Sequence, residues 1–256
     1  MTGKPLIATL LLLWPAAPIW AWEVTYAATP PQIDGRDDDA AWAEASWRPI
    51  DQVILGEPPE PADFSGRYKL VWTEERLYLL AEIIDDVLLD AEPNPRVSYW
   101  NDDALELLID ENRSGGNHHY SYNAFAYHIA LDNQVVDIAP HLEGFEGSPR
   151  VLTFPDHLTS RWRRRSEAPY TVVWEVSLAV YGDDYSESAN PPSTPRLLKA
   201  GETLGFMAAY CDADEPGKRD NFLTDLAIEP VNGDRNRAYI DAGVFGPITL
   251  AAPPRQ

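Results

Sequence analysis

The 256-residue chain has one cysteine, two methionines and only 20 lysines and arginines, against 41 aspartates and glutamates. A single cysteine excludes an intrachain disulfide. The formal net charge of −21 argues against a broad electrostatic contact with nucleic acid or anionic lipid, because both require a basic surface. A hydrophobic content of 45% indicates an acidic globular protein, and its charge is compatible with neutral ligands or cations.

Long hydrophobic runs are also missing. The apolar segment 6–14 is too short for the ~20 residues of a membrane-spanning helix. With Lys4 before it and Ala21 after it, this segment is typical of a secretory signal peptide. We therefore predict a signal peptide over 1–21 and one mature domain over 22–256, located in the periplasm or outside the cell. No cysteine near the predicted cleavage site offers a lipid anchor, so we expect no membrane insertion after cleavage.

Apolar and polar residues alternate along most of the mature chain, and long helical periodicity is absent. Tyr68–Trp72 and Leu77–Ile84 predict a hairpin whose second strand is apolar on both faces and therefore central. One short helix is predicted at Asp38–Ala45, capped by Asp37 or Asp38. The predicted fold class is all-β, a single antiparallel β-sandwich of about ten strands with this one helix near the N-terminus. The other predicted strands are Asp103–Asp110, Tyr122–Leu131, Gln134–Ile138, Arg150–Phe154, Tyr170–Leu178, Thr203–Cys211 and Val244–Leu250.

Common catalytic motifs do not occur in the sequence. It contains no Gly-rich phosphate loop, no Gly-x-Ser-x-Gly motif and no His-Glu-x-x-His motif. Acidic pairs such as Glu106 and Glu175 are available for glycoside hydrolysis, but their sequence separation does not indicate the ~5–9 Å spacing that the reaction needs. The one basic cluster indicates a solvated hairpin tip or, alternatively, a contact with an anionic sugar, and it consists of Arg161, Arg163, Arg164 and Arg165.

The segment Trp100–Asp110 places an aromatic loop directly before an amphipathic strand that carries Glu106. This segment resembles the family 9 carbohydrate-binding modules, in which a Trp precedes a Glu-bearing strand that ends in Ile-Asp. The similarity covers about residues 32–250, nearly the whole mature chain. Other motifs follow in the order of that family: Gln32–Gly35 with Trp42, Lys69–Leu79, Asp85, Trp174–Leu178, Gly205–Phe206 and Phe245–Ile248.

The resemblance implies that a sugar is clamped between two aromatic side chains, Trp100 and Tyr239, while Glu106 and Asn236 bind its hydroxyls. A pyranose has an apolar C–H face that stacks on aromatic rings, and its hydroxyls pair with carboxylates and amides. The arginine and asparagine of the family's central strand correspond here to His128 and Ala130, and His128 is included among the predicted ligand-binding residues. Three alanines share its face, which is either a shallow groove or a surface for another strand: Ala124, Ala126 and Ala130.

Calcium is the cofactor that the resemblance implies. Asp34, Asp38 and Asp85 lie in segments that resemble the calcium-holding loops of the family. The alternative is that these aspartates cap a helix or stabilise turns.

The leading functional hypothesis is a secreted, non-catalytic protein that binds glycan ends or short oligosaccharides and serves polysaccharide breakdown or uptake. One alternative is haem-binding electron transfer, known from related sandwiches, with His128 and Met207 as axial ligands. No haem is expected, because the Cys-x-x-Cys-His attachment motif is missing. The other alternative is a glycoside hydrolase. The sequence alone does not identify the sugar, its linkage or the oligomeric state.

Overall fold

A computed structural model describes residues 21–141 and 150–254. The predicted signal peptide lies outside the described residues except for Ala21. The described chain is all-β, as predicted, with three single turns of 3-10 helix at Ala40–Trp42, Tyr99–Asn101 and Ala242–Val244. No helix in these two ranges is long and apolar enough to cross a membrane. The strands are β1 (Trp22–Tyr26), β2 (Arg48–Ile50), β3 (Gln52–Leu55), β4 (Phe64–Trp72), β5 (Leu77–Asp85), β6 (Ala104–Asp110), β7 (Phe125–Ala130), β8 (Val135–Ala139), β9 (Arg150–Thr153), β10 (Leu158–Arg164), β11 (Val172–Leu178), β12 (Thr203–Asp212), β13 (Asn221–Thr224) and β14 (Gly246–Leu250).

The strands form one curled sheet with two halves joined through β1. The first half has the order β10-β11-β5-β4, with β2 beside β4, and the second half has the order β14-β12-β6-β7-β8-β9. Strand β13 pairs with β12, and β3 pairs with β13. Strand β1 pairs in parallel with β14 through residues 22–24 and with β4 through residues 25–26. The predicted all-β sandwich is confirmed in outline, but the described residues form 14 strands instead of about ten, and their sheet is mixed instead of antiparallel.

The main core lies between the two halves and buries the alternate residues that the sequence pattern predicts. In β6, Leu105, Leu107 and Ile109 join this core, while Ala104 and Leu108 pack into a separate cluster on the opposite face. Because successive side chains of a strand point to opposite faces, Glu106 lies on the same outer face as Ala104 and Leu108. The functional site is built on this outer face of the second half.

Strand β5 is buried along almost its whole length, which confirms the predicted central position. Its neighbours are β4 and β11. Its outward-facing Tyr78 and Leu80 are covered by Trp42 and Ala45 from the segment after β1. The predicted helix Asp38–Ala45 is reduced to a single 3-10 turn, because so short a segment cannot offset the cost of nucleating an α-helix.

Only one arginine of the basic cluster, Arg165, lies in the connection between β10 and β11, whereas the predicted hairpin tip included all four. Arg161, Arg163 and Arg164 belong to β10, which pairs with β11. Arg163 donates to the carbonyl of Asp34 (2.8 Å) and Arg164 donates to the carbonyl of Asp85 (2.7 Å). Arg163 therefore ties the loop after β1 to strand β10, and Arg164 ties the end of β5 to it.

Candidate functional site

A cleft of about 330 Å³ opens on the outer face of the second half. Residues from several distant segments line it, including Trp100, Glu106, His119, Arg219, Asn236 and Tyr239. The structure thus brings together four of the five side chains that the sequence marked as ligand-binding. His128, the fifth, does not line this cleft.

Trp100 stands in a single 3-10 turn of the loop before β6. Its side chain is 44% exposed, and its ring contacts the edge of Tyr99 with 5.1 Å between centroids. The carboxylate of Asp102 accepts hydrogen bonds from the backbone N–H groups of Ala91 (3.0 Å) and Glu92 (2.8 Å). The two bonds tie Asp102, which lies next to the 3-10 turn, to residues 91 and 92 earlier in the same loop. The exposed Trp100 ring is therefore positioned before any ligand arrives.

Tyr239 is 41% exposed and lies in a turn that other side chains fix in place. Buried His118 donates from Nε2 to the carbonyl of Ala238 (2.8 Å). Arg237 forms an ion pair with Asp241 across the same turn. The Tyr239 ring therefore faces the cleft from a tethered turn and not from a free loop.

Glu106 forms the polar part of the cleft. Its Oε1 lies 3.0 Å from Nδ1 of His128 and 3.4 Å from Sγ of Cys211. Among the described residues, neither Oε2 of Glu106 nor the side-chain amide of Asn236 has a hydrogen-bond partner, so both are available to a ligand. Burial raises the pKa of the Cys211 thiol well above its usual range, and the nearby Glu106 carboxylate adds to the shift, so Cys211 stays protonated.

His128 lies directly opposite Glu106 in the β6–β7 pair and is covered by the edge of Tyr99, with 4.8 Å between ring centroids. Its contact with Glu106 makes it an orienting partner of that carboxylate. His128 lines a neighbouring cavity of about 340 Å³ together with Ala130, and Tyr99 borders both cavities. The predicted groove along this strand is therefore present near Ala130, whereas Ala124 packs into the outer core cluster.

Glu175, the other acidic residue considered for hydrolysis, is fully buried on the first half of the sheet. Its Oε2 accepts the backbone N–H groups of Asp34 (3.0 Å), Gly35 (2.9 Å) and Arg36 (3.3 Å). Its Oε1 accepts Nε1 of Trp42 (3.1 Å). Glu175 therefore fixes the loop after β1 and has no place in the cleft.

The three aspartates predicted to hold calcium do not meet at one point. Asp34 and Asp38 belong to none of the clusters of potential metal ligands formed by the described residues. Asp85 instead forms a buried cluster with Asp103 and Asp212, whose ligand oxygens lie within 4.8 Å of one another. Burial raises the pKa values of Asp85 and Asp103, and repulsion from Asp85 adds to the shift of Asp103.

Sequence reasoning missed five residues of the cleft: Tyr99, His119, Ile138, Arg219 and Phe222. Tyr99 is adjacent to Trp100, so the aromatic pair was a usable signal. His119 stacks on Tyr120, and burial lowers its pKa, with His141 adding to the effect. Neutral His119 leaves Arg219 as the one fixed cation among the described residues that line the cleft.

An all-β sandwich with exposed aromatic rings and polar groups around one cleft belongs to the class of proteins that bind ligands on a sheet face. The chain is a member of the family described as "Carbohydrate family 9 binding domain-like", which matches residues 33–252.

Two enzymes illustrate the sequence relationships. The chain is 26% identical to "Exoglucanase XynX" of Acetivibrio thermocellus over 229 residues, 88% of this chain and 17% of that enzyme. It is 31% identical to "Endo-1,4-beta-xylanase C" of Paenibacillus barcinonensis over 124 residues, 48% of this chain and 10% of that enzyme. The chain therefore corresponds to a small part of each of these relatives.

Solved structures show the same fold. A carbohydrate binding module of family 9 from Caldicellulosiruptor kristjanssonii in complex with cellotriose superposes with a TM-score of 0.64 and 18% identity, covering 92% of this chain and 95% of that chain. A structure of such a module from the same organism with glucose gives a TM-score of 0.64 and 19% identity, covering 93% and 98%. At these identities the similarity establishes the fold.

Proposed function

We propose that this protein binds glycan ends or short oligosaccharides in the cleft between Trp100 and Tyr239. The main observation that supports this proposal is that two exposed aromatic side chains, a carboxylate and an amide from distant segments line one cleft. Membership of the family supports a carbohydrate ligand. The complexes of related modules with cellotriose and glucose support an oligosaccharide or its terminal sugar.

The chemistry of the cleft suits a pyranose. The exposed rings of Trp100 and Tyr239 offer apolar faces for the C–H surface of a sugar. Oε2 of Glu106 accepts hydroxyl donors through charge-assisted hydrogen bonds. The amide of Asn236 both donates and accepts. His128 and Cys211 hold the other oxygen of Glu106, so this carboxylate needs little reordering when the sugar binds.

Recognition is favoured over the two alternative functions. Glu106 is the one carboxylate among the described residues that line the cleft, whereas glycoside hydrolysis normally uses a pair. Met207, the axial ligand considered for haem, is fully buried in the outer core cluster with Leu108 and Phe222.

The protein's location and its role in polysaccharide breakdown or uptake form part of the proposal. The apolar segment after Lys4, followed by Ala21, supports export to the periplasm or outside the cell. The relatives named as an exoglucanase and a xylanase support a role in the breakdown of glucans or xylans.

We also propose that calcium binds at the buried cluster Asp85, Asp103 and Asp212. Three carboxylates with oxygens within 4.8 Å of one another fit the oxygen ligands and the Ca–O distances of about 2.3–2.6 Å that calcium prefers. A cation there would offset the repulsion between the three side chains and tie the ends of β5 and β12 to the start of β6.

A glycan array tests the proposal. Wild-type protein should bind neutral β-linked oligosaccharides, and the double variant Trp100→Ala/Tyr239→Ala should lose this signal. Tyr170→Ala is the matched control, because Tyr170 is an aromatic residue with 51% exposure that does not line the cleft. A folded wild-type protein that binds no glycan, or a double variant that binds as well as the control, would contradict the proposal.

A further inference from the structure

Arg219 differs from the other partly buried basic residues in its partners. In the described ranges, every other half-buried lysine or arginine contacts a carboxylate or a backbone carbonyl oxygen. Arg219 instead donates from one guanidinium nitrogen to Sγ of Cys211 (3.2 Å). A protonated thiol is a weak acceptor, so Arg219 has no strong hydrogen-bond acceptor among the described residues.

The position of Arg219 is fixed at the cleft. Its guanidinium lies over the ring of Phe222, 4.8 Å from the centroid, and both residues line the cleft together with Glu106. Stacking on an aromatic face holds the guanidinium plane and leaves its edge free to donate. No ion pair links Arg219 to a carboxylate of the described residues, which leaves most of its five N–H donors open to a ligand.

We propose that the cleft selects carbohydrates that carry a carboxylate, with the carboxylate paired to Arg219. This inference rests on the proposed function and specifies its ligand class, a uronic acid or an aldonic acid. A planar guanidinium binds a carboxylate through two parallel hydrogen bonds, which are stronger than those to a hydroxyl.

The Glu106 carboxylate does not prevent a carboxylated sugar from binding beside it. Its Oε1 already accepts hydrogen bonds from His128 and Cys211, and its Oε2 pairs with neutral hydroxyls of the same sugar. The ligand therefore presents its carboxylate to Arg219 and its hydroxyls to Glu106 and Asn236. Because the protein is strongly acidic overall, a cation inside the cleft is required to hold an anionic sugar against the general repulsion.

Titration calorimetry with matched sugars tests the inference. The neutral probes are methyl β-glucoside and cellobiose, the uronate probe is methyl β-glucuronide, and the aldonate probe is cellobionate. At least one carboxylated probe should bind about tenfold or more tightly than its neutral counterpart. The carboxylated probe that binds more tightly shows whether the ligand is a uronic acid or an aldonic acid. The preference should weaken when salt rises from about 0.05 M to about 0.5 M, because ions screen the pair.

Variants identify the residue responsible. Arg219→Gln should lose the preference, so that carboxylated and neutral probes bind with similar affinity. Arg219→Lys, which keeps the charge without the planar fork, should keep part of the preference and also covers the case in which Arg219→Gln does not fold. Arg161→Gln is the control, since Arg161 is an exposed arginine of β10 away from the cleft.

The outcomes separate this inference from the proposed function. Equal affinity for neutral and carboxylated probes would overturn the inference and leave carbohydrate binding intact. A preference that survives in folded Arg219→Gln would also overturn it. Wild-type protein that binds none of the probes and no array glycan would instead remove the proposed function itself.

Discussion

Replacing Trp100 with alanine separates a ligand-binding ring from a packing residue. The side chain is 44% exposed, and a tryptophan presents about 250 Å² when fully accessible, so roughly 110 Å² faces solvent. We expect a stacked pyranose to cover ~60–100 Å² of that surface. At about 25 cal/mol per Å² this is about 1.5–2.5 kcal/mol, or a roughly ten- to seventyfold loss of affinity in Trp100→Ala.

Stability should respond differently from affinity. Trp100→Ala should lower the free energy of unfolding by about 1 kcal/mol or less, because a half-exposed side chain has few core contacts to lose. Trp42→Ala is the contrasting variant, since Trp42 is 2% exposed and its Nε1 donates to buried Glu175. That change should cost about 3–5 kcal/mol of stability.

Isothermal titration with a neutral oligosaccharide and urea unfolding measure the two quantities on the same preparations. Quenching or enhancement of tryptophan fluorescence on ligand addition, lost in Trp100→Ala, gives an independent signal. The reasoning is refuted if Trp100→Ala unfolds readily while its folded fraction binds sugar with wild-type affinity. That pattern would make Trp100 a packing residue.

Three further predictions follow from the site and the core. Glu106→Gln should weaken sugar binding about tenfold by calorimetry, because a charge-assisted hydrogen bond becomes a neutral one; an unchanged Kd would contradict this. Calcium should raise the Tm of chelator-treated protein through Asp85, Asp103 and Asp212, and a saturating titration without a shift would exclude that site. Burial lowers the pKa of His157 to about 4, below its unfolded value of about 6.5. The unfolded chain then binds this proton first as pH falls, so stability should decrease from about pH 6.5 to about pH 4, by about 3 kcal/mol, and His157→Gln should show a shallower decrease in acid unfolding curves.

The elements that the sequence predicts well are those whose pattern is local. The two-faced burial of Leu77–Asp85 and the alternation around Glu106 are visible in neighbouring residues, and the structure confirms both. Strand β1 is different. Its five residues lie next to the predicted leader and pair in parallel with distant β4 and β14, and no local pattern specifies such a pairing.

The residues of the site also fall into two groups, those that the sequence predicts and those that only the fold brings to the cleft. Trp100 and Glu106 lie on one contiguous motif, and the resemblance to a known family brought Asn236 and Tyr239 into the same hypothesis. Arg219 lies in the connection between β12 and β13, where charged residues without periodicity predict only a solvated turn. Its place in the cleft depends on its stacking on Phe222 and its contact with Cys211, which only the folded chain reveals.

The proposed calcium cluster is likewise not predictable from local sequence. Asp85 ends β5, whereas Asp103 immediately precedes β6 and Asp212 ends β12. The three residues meet because the fold brings these strand ends together. The family resemblance placed Asp85 in a metal-holding loop, but no sequence pattern favours Asp103 and Asp212 over Asp34 and Asp38.

A crystal structure of the protein with a bound oligosaccharide tests the central claim most directly. The account predicts a sugar ring between Trp100 and Tyr239, with hydroxyls within hydrogen-bonding distance of Oε2 of Glu106 and the amide of Asn236. A glycan bound at another face of the sheet, with this cleft filled only by water, would contradict it.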